Sequence, residues 1–476
     1  MKEHMTKKTK RFYTPVDRLV RGIALLLVAV SLFGIFRIYA NAQKAADSLT
    51  LSERASLSSK IDIEEENFEN NVVEKKARSL YGTLRTSDGE VLVDLTHSNT
   101  NTPALGSLLG TLNSIDVSDT RYFLNNYKQS IFPDVSWNAV NGFTSPDGTV
   151  TLTIDSRVQN SIYQKMVDLG IYGSVTLYDF KTGEIKALCS TPGLGEKNAA
   201  GEAAEGSFIN KCLYRTSPGS TQKILTLFLA ESQGINVANT RFSCNGAYTL
   251  QDGTVVRCSG VHGQLINGET AVGKSCNVFF AQLIEKLSVN QTYEQLYDMG
   301  WTVNGLSKDG ENVFQIGNLP IDRSSLTWTS NNTFVSVWSL IGQCEAMASP
   351  LQMVELAGNC ATGGNAAVPR LTTHEAITKS GYGAKYAEAF QRAWSVWTAG
   401  FQQCYSSKDY GVCTAAKTGT SDQLAGETHK LLLAVIGDYS VYIVIENYLQ
   451  SRVMPYQLLP TIEQAVVSGI ESEVLQ

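Results

Sequence analysis

The longest apolar stretch in the chain runs from Gly22 to Phe36 and resumes after Arg37 with Ile38, Tyr39 and Ala40. From Leu19 to Ala40 it covers 22 positions, enough for one helix to cross about 30 Å of hydrocarbon. Lys2, Lys7, Lys8, Lys10, Arg11, Arg18 and Arg21 precede or open it, against only Glu3 and Asp17. That asymmetry keeps the tail 1–18 in the cytoplasm and places everything after residue 40 outside the membrane. A cleavable signal peptide is the competing reading, because the strictly apolar core is 15 residues long and Ala40-Asn41-Ala42 resembles a cleavage site. Arg37 just before that site favours a retained signal-anchor at 19–40, its long side chain reaching back to the interface.

Beyond the anchor the pattern changes. Residues 41–75 mix small, polar and acidic positions, and 76–145 hold short strand-like pieces in Asn/Ser/Thr-rich sequence, so 41–148 reads as a small extracytoplasmic N-terminal or linker domain. Thr149 to Ile154 alternates β-branched residues and predicts a strand. Val158, Ile162, Met166 and Leu169 then recur at helical spacing behind Asp155, a plausible N-cap. Ser174–Tyr178 and Glu184–Leu188 flank a turn at Lys181–Gly183, and Leu431–Ile436 and Val441–Ile445 flank Gly437-Asp438, giving two hairpins far apart in sequence. A helix is predicted to open at Ser220 and another near Ala271. Strands at both ends with helices between predict an α+β domain over 149–476, its sheet built from distant parts of the chain.

Composition adds little. Formal net charge is −6 and the charged fraction 18%, so no nucleic-acid partner is indicated. The nine cysteines form no CxxC and join no His-rich cluster, so no metal is expected. Cys244/Cys258 and Cys404/Cys413 are near enough to close small loops in an exported chain, and Cys189, Cys212, Cys344 and Cys360 read as small buried hydrophobes.

Three short motifs occur in order: Ser220-Thr221-Gln222-Lys223, Ser275-Cys276-Asn277 and Lys417-Thr418-Gly419-Thr420. Singly they are weak, reading as a surface Ser/Lys pair, a helix cap and a turn. Together, in this order in an exported chain, they describe an acyl-transfer site. Serine needs a base to become a nucleophile, and Lys223 lies three positions on, on the same helix face as Ser220. A lysine serves as base only when burial or a neighbouring cation destabilises its ammonium, and Lys417 can be that cation. The start of a helix also favours negative charge near the Ser220 N–H, half of an oxyanion hole. Ser275 can relay a proton and Asn277 can orient a peptide. Lys417 to Thr420 reads as a strand edge along which a substrate adds as a further strand, with Gly419 allowing close backbone approach and Thr418 and Thr420 offering hydroxyls to a carboxylate.

These residues resemble the penicillin-binding transpeptidases, which are related to the serine β-lactamases. Ser217 to Lys223 is similar to the family's PGSTFK stretch, Thr182 to Leu188 to its TGEILAM strand, and Ala416 to Thr420 to its AGKTGT. His262-Gly263 before Ser275-Cys276-Asn277, and Ser349 to Met353, resemble the HG…SCN and TPLQMA elements of the monofunctional, class B members. The resemblance covers about 149–470 and implies an antiparallel sheet flanked by helices. It implies Ser220 as acylated nucleophile, Lys223 as its base, Ser275 as proton relay and Asn277 as peptide positioner. Lys417, Thr418, Gly419 and Thr420 would bind substrate, with an oxyanion hole at the Ser220 and Thr420 N–H groups. The implied activity is D,D-transpeptidation of peptidoglycan peptide stems, blocked by β-lactams, in the cytoplasmic membrane, with a glycan-polymerising synthase as a candidate partner and no cofactor. The family's long pedestal is only echoed by Ala77-Arg78 and by Ser87 to Leu92, and about 110 residues before 149 are too few for a glycosyltransferase domain. A D,D-carboxypeptidase or a β-lactamase-like hydrolase would share the acylation step; a β-lactam sensor or a pseudoenzyme is the non-catalytic alternative.

Overall fold

The computed structural model describes residues 15–47, 82–93, 103–110, 121–131, 133, 136–138, 142–144, 148–198, 200–422 and 426–473. The chain divides into two compact units, one formed by 1–82 with 132–148, the other by 83–131 with 149–476.

In the first unit, helix α1 (Pro15–Asp47) contains the expected anchor and runs past its end at residue 40. Val20–Lys44, 25 residues long and with none of its most apolar window covered by protein, is a candidate membrane span. The other described part is an antiparallel pair, Ser136–Asn138 with Gly142–Thr144.

The second unit is organised by a five-stranded sheet. The helices and strands that position the site are, in chain order, α2 (Ser156–Asp168), β1 (Gly173–Asp179), β2 (Ile185–Thr191), α3 (Lys223–Ser232), α4 (Gly268–Gly273), α5 (Asn277–Ile284), α6 (Pro350–Thr362), α7 (Gly383–Cys404), β3 (Ala415–Asp422), β4 (Thr428–Ile436), β5 (Tyr439–Ile445) and α8 (Leu459–Glu473). The strand order is β3-β4-β5-β1-β2 and every neighbouring pair is antiparallel, so the two hairpins read from the sequence meet where β5 pairs with β1, Ile443 opposite Val175. Strand β3, which carries Lys417 to Thr420, lies on an edge.

Alternation along the strands supplies two cores, because successive side chains leave opposite faces. Leu432 and Ala434 of β4, with Val441 and Ile443 of β5, pack against Val158, Ile162 and Met166 of α2 and Ile462 of α8. Leu431, Leu433 and Val435, with Tyr442 and Val444, face the larger helical layer containing Leu227 and Phe228 of α3 and Phe390 and Trp397 of α7. Phe228 stacks on Phe390 at 4.2 Å between ring centroids. The Trp397 indole N–H donates to the Ala416 carbonyl at 3.0 Å, fixing α7 to β3 without spending a buried donor.

Asp155 caps α2 as expected, its carboxylate accepting from the Arg157 and Val158 N–H groups. The strand predicted from Thr149 to Ile154 is shorter. Val150–Thr151 pairs in parallel with Leu84–Arg85, after which Leu152 bridges to Thr372 and Thr153 donates to the Leu371 carbonyl. The alternating pattern is satisfied by two successive partners, which divides the strand. Of the residues that echo the pedestal motif, Ala77 and Arg78 lie outside the described residues, whereas Ser87 to Leu92 belong to this unit, where Asp88 accepts from the Ser156 N–H at 2.8 Å and its hydroxyl at 2.6 Å. All nine cysteines are free thiols, including Cys244/Cys258 and Cys404/Cys413. Cys344, expected inside, is exposed.

Candidate active site

Ser220 does not open an α-helix. It sits in a 3-10 turn, Gly219–Gln222, and α3 begins only at Lys223. In a 3-10 turn residues three apart eclipse one another, which aligns the two side chains more directly than an α-turn would: Lys223 Nζ is 2.7 Å from Ser220 Oγ. The turn is tight because Gly219 has φ +53° and its Cα presses on β3, where a Cβ would come within 2.5 Å of the Thr420 carbonyl oxygen. Only glycine fits there.

Ser275 lies in the break between α4 and α5, and Asn277 is the first residue of α5. Asn267 caps α4 by accepting from the Thr270 N–H. The helix closes with Cys276 N–H donating to the Ala271 carbonyl at 2.9 Å. Ser275 is left in the left-handed region at φ +54°, an uncommon conformation for a residue with a side chain. Cys276 then caps α5, its sulfur accepting from the Phe279 N–H at 3.3 Å. The result aims both flanking side chains at Lys223: Nζ lies 3.2 Å from Ser275 Oγ and 2.6 Å from Asn277 Oδ1, and donates to the Ser275 carbonyl at 3.1 Å. The Asn277 amide is held from behind by donating to the Arg257 carbonyl at 3.0 Å.

From the sheet edge, Lys417 Nζ reaches Ser275 Oγ at 2.9 Å and the Thr418 carbonyl at 2.8 Å. Lys223 and Lys417 are both fully buried. Burial pushes Lys223 down to about 7 against weaker opposing pulls from Cys258 and Cys276. Burial, joined by the adjacent Lys223, pushes Lys417 well below the ordinary lysine range. Two ammonium groups this close in a dry pocket disfavour each other's charge.

Above the lysines lies a cleft of 410 Å³ whose lining includes Ser220, Ser275, Asn277, Thr418, Gly419 and Thr420. All eight residues singled out by the three motifs therefore converge, six on the cleft and two lysines beneath it. A larger cavity of 800 Å³, lined by Tyr172, Lys211 and Glu446 among others, contains none of them. Residues without a motif also take part. The Tyr405 hydroxyl accepts from the Thr418 N–H at 3.0 Å and lies 3.1 Å from the Thr418 hydroxyl. Gln343 donates its amide N–H to the Thr420 carbonyl at 3.0 Å, and Lys430 donates to the Thr420 hydroxyl at 3.0 Å. Tyr405 follows α7, Lys430 lies on β4 and Gln343 follows the helix Phe334–Ile341, so their positions come from long-range packing that no local pattern announced.

The arrangement is a buried base beside a hydroxyl, a second hydroxyl between two lysines, and a strand edge bordering the cleft. It suits acyl transfer through a serine ester. Comparison with known proteins points the same way. Residues 173–441 match the model of the penicillin-binding protein transpeptidase domain. Among solved structures, the chain is similar to penicillin-binding protein A of Mycobacterium tuberculosis, at 18% identity and TM-score 0.59 over 82% of this chain and all of that one. The D,D-transpeptidase domain of a peptidoglycan glycosyltransferase from Eggerthella lenta is similar at 19% identity and TM-score 0.63, over 84% of this chain and all of that one. Pseudomonas aeruginosa PBP2 is similar at 16% identity and TM-score 0.63, over 82% of this chain and 95% of that one. With more than half of its length matched by the domain model, the chain belongs to the penicillin-binding protein transpeptidase family.

Proposed function

We propose that the protein is a serine-type peptidoglycan D,D-transpeptidase that works through an acyl-enzyme on Ser220, outside the membrane spanned by α1. The observation that carries this reading is the 2.7 Å approach of Lys223 Nζ to Ser220 Oγ in a pocket that lowers the lysine to about 7. Neutral Lys223 takes the Ser220 proton as Oγ attacks the carbonyl of the penultimate D-Ala of a peptide stem. The oxyanion meets the N–H groups of Ser220 and Thr420. The tetrahedral intermediate collapses with cleavage of the C–N bond, and the proton passes through Ser275, which bridges both lysines, to the departing D-Ala amine. An acceptor amine then attacks the ester, gives up its proton along the same path, and Ser220 is regenerated. Asn277 and the β3 edge hold the donor peptide, with the Thr418 and Thr420 hydroxyls facing its carboxylate. A β-lactam enters the same step and leaves a ring-opened ester. A solved structure of M. tuberculosis penicillin-binding protein A is a ceftriaxone acyl-enzyme complex. Because the cross-linked strands must be supplied at the membrane, a glycan-polymerising synthase is the partner we propose.

The test is intact-mass spectrometry of the full chain in detergent with a fluorescent penicillin, followed by a donor stem peptide and an acceptor amine. The expected result is a long-lived adduct on Ser220 and a cross-linked product. An adduct that hydrolyses within minutes would replace transpeptidation by a hydrolase, and folded protein that takes no label would remove the acyl-enzyme altogether.

A further inference from the structure

Behind the Ser275–Asn277 turn four side chains with ligand atoms come together: Cys244, Cys258, His262 and Cys276, with all donor atoms within 4.8 Å of one another. They arrive from separate pieces of chain. Cys244 ends the strand Arg241–Cys244, Cys258 follows the strand Val255–Arg257, His262 precedes the strand Gly263–Asn267, and Cys276 caps α5. Gly263 pairs opposite Cys244 and the His262 N–H donates to the Cys244 carbonyl at 3.2 Å, which fixes the imidazole beside that sulfur.

We propose that these four residues form a structural zinc site of the Cys3His type that clamps the catalytic turn carrying Ser275 and Asn277. The spacing carries the argument. His262 Nδ1 lies 3.7 Å from Cys244 Sγ and 3.4 Å from Cys258 Sγ, and the Cys258 and Cys276 sulfurs are 3.8 Å apart. A tetrahedral zinc, with bonds of about 2.3 Å to sulfur and about 2.0 Å to nitrogen, separates two sulfur ligands by about 3.8 Å and a sulfur from a nitrogen by about 3.5 Å. Sulfurs of a disulfide stand about 2.05 Å apart. Three soft thiolates with one imidazole select zinc over magnesium or calcium, which take oxygen ligands. Four ligands close the coordination sphere, so this is a structural site rather than a catalytic one. The surroundings fit a bound thiolate: the Phe279 N–H points at the Cys276 sulfur at 3.3 Å, the kind of outer contact that orients a ligand. Cys244 and Cys276 are buried, whereas Cys258 and His262 are half-buried and give the ion a way in.

The function of the site follows from its place in the chain. Ser275 and Asn277 flank a ligand directly, and Ser275 holds a left-handed backbone that its side chain disfavours. A metal bond to Cys276 would hold that turn against relaxation, and Asn277 is tied to the same lobe through the Arg257 carbonyl next to Cys258. The proposal deepens the acyl-enzyme reading but does not depend on it, since metal content is measured apart from acylation.

The experiment is metal analysis of the full chain, purified in detergent without chelator, by inductively coupled plasma mass spectrometry. The expected result is about one zinc per chain. A mercurial thiol reagent should release it in step with the loss of three thiols. Cys258→Ser and His262→Ala should each fall well below stoichiometry, while Cys404→Ser, an exposed cysteine outside the cluster, keeps its zinc. Cobalt substituted for zinc should give thiolate charge-transfer and intense visible bands of a tetrahedral sulfur-rich site. Removal of zinc should lower the penicillin acylation rate at least tenfold, and zinc added back should restore it. Folded wild-type protein that holds no zinc after exposure to the ion under reducing conditions overturns the site. So does an intact mass two hydrogens light with a mapped Cys258–Cys276 disulfide, and stoichiometric copper or iron in place of zinc overturns the choice of ion.

Discussion

Two buried polar centres share the Ser275–Asn277 turn and satisfy their atoms in opposite ways. On the cleft side, Lys223 and Lys417 are surrounded by oxygens: Ser220 Oγ, Ser275 Oγ, Asn277 Oδ1 and the carbonyls of Ser275 and Thr418. Behind the turn, three sulfurs and an imidazole face mainly one another. There the Cys258 and Cys276 sulfurs lie 3.8 Å apart, and their mutual contact holds Cys258 well below the ordinary thiol range while it pushes Cys276 above it. The difference separates two tasks. A base must gain and lose a proton in each turnover, so its partners are hydrogen-bond acceptors that tolerate both states. A positioning centre must not change at all, and the proposed closed set of metal ligands would serve that better than any exchangeable proton.

The largest break in this comparison is Ser220→Ala. It should lower the penicillin acylation rate by about 10⁴-fold or more and leave the melting temperature and the thiol centre intact, read by fluorescent penicillin labelling and by calorimetry. Next comes Lys223→Met, which removes the proposed base but fills its volume. Acylation should fall about 10²- to 10⁴-fold. The melting temperature should hold or rise, because a buried ammonium costs desolvation that a thioether does not. A clear loss of stability would instead make Lys223 a structural residue.

A third probe is pH. Lys223 faces Lys417 across Ser275, and Cys258 and Cys276 from behind. In the proposed mechanism neutral lysine is the reactive form, so single-turnover acylation should rise with pH through about 7 and then level off. The stability sign agrees. The folded lysine binds fewer protons than the unfolded one between about 7 and 10.5. Its cost to folding is therefore full below about 7 and gone above 10.5. Lys223→Met should flatten the acylation profile and reduce the stability slope to the part that buried Lys417 contributes.

Smaller changes test how the cleft side is built. Gly219→Ala places a Cβ 2.5 Å from the Thr420 carbonyl at a backbone angle that disfavours it. It should cost on the order of 1–3 kcal/mol of stability. Because it moves Ser220 away from β3, it should also slow acylation about tenfold, while zinc content stays the same. Tyr405→Phe leaves the Thr418 N–H without its 3.0 Å partner. The expected loss is about 1 kcal/mol, seen as a several-fold higher half-saturating concentration of donor peptide rather than a slower maximal rate.

The legibility of the chain follows the distance between interacting residues. Ser220 and Lys223 could be read together because three positions along a helical turn guarantee proximity. The apolar run of α1, the Asp155 cap and the two hairpins were legible for the same reason: periodicity, capping and turns act within a few residues. The kind of turn under Ser220 was not, since the 3-10 geometry is imposed by Gly219 pressing against β3.

Local pattern therefore set the long apolar helix α1 and the α+β order of elements, and singled out the eight motif residues that converge in the fold, because each rests on short-range periodicity or on chemistry few residues can supply. Only the tertiary structure decided that Lys417 would stand against Ser275 and that Tyr405 and Gln343 would hold β3. It also decided that Cys244, Cys258, His262 and Cys276, set apart by 13, 3 and 13 intervening residues, would share one point in space. Their spacing matches no short metal motif. The proximity comes from pairing Arg241–Cys244 with Gly263–Asn267 and from the turn into α5. Long-range strand pairing is set by how the whole domain buries its apolar surface, and no window of local sequence contains that information.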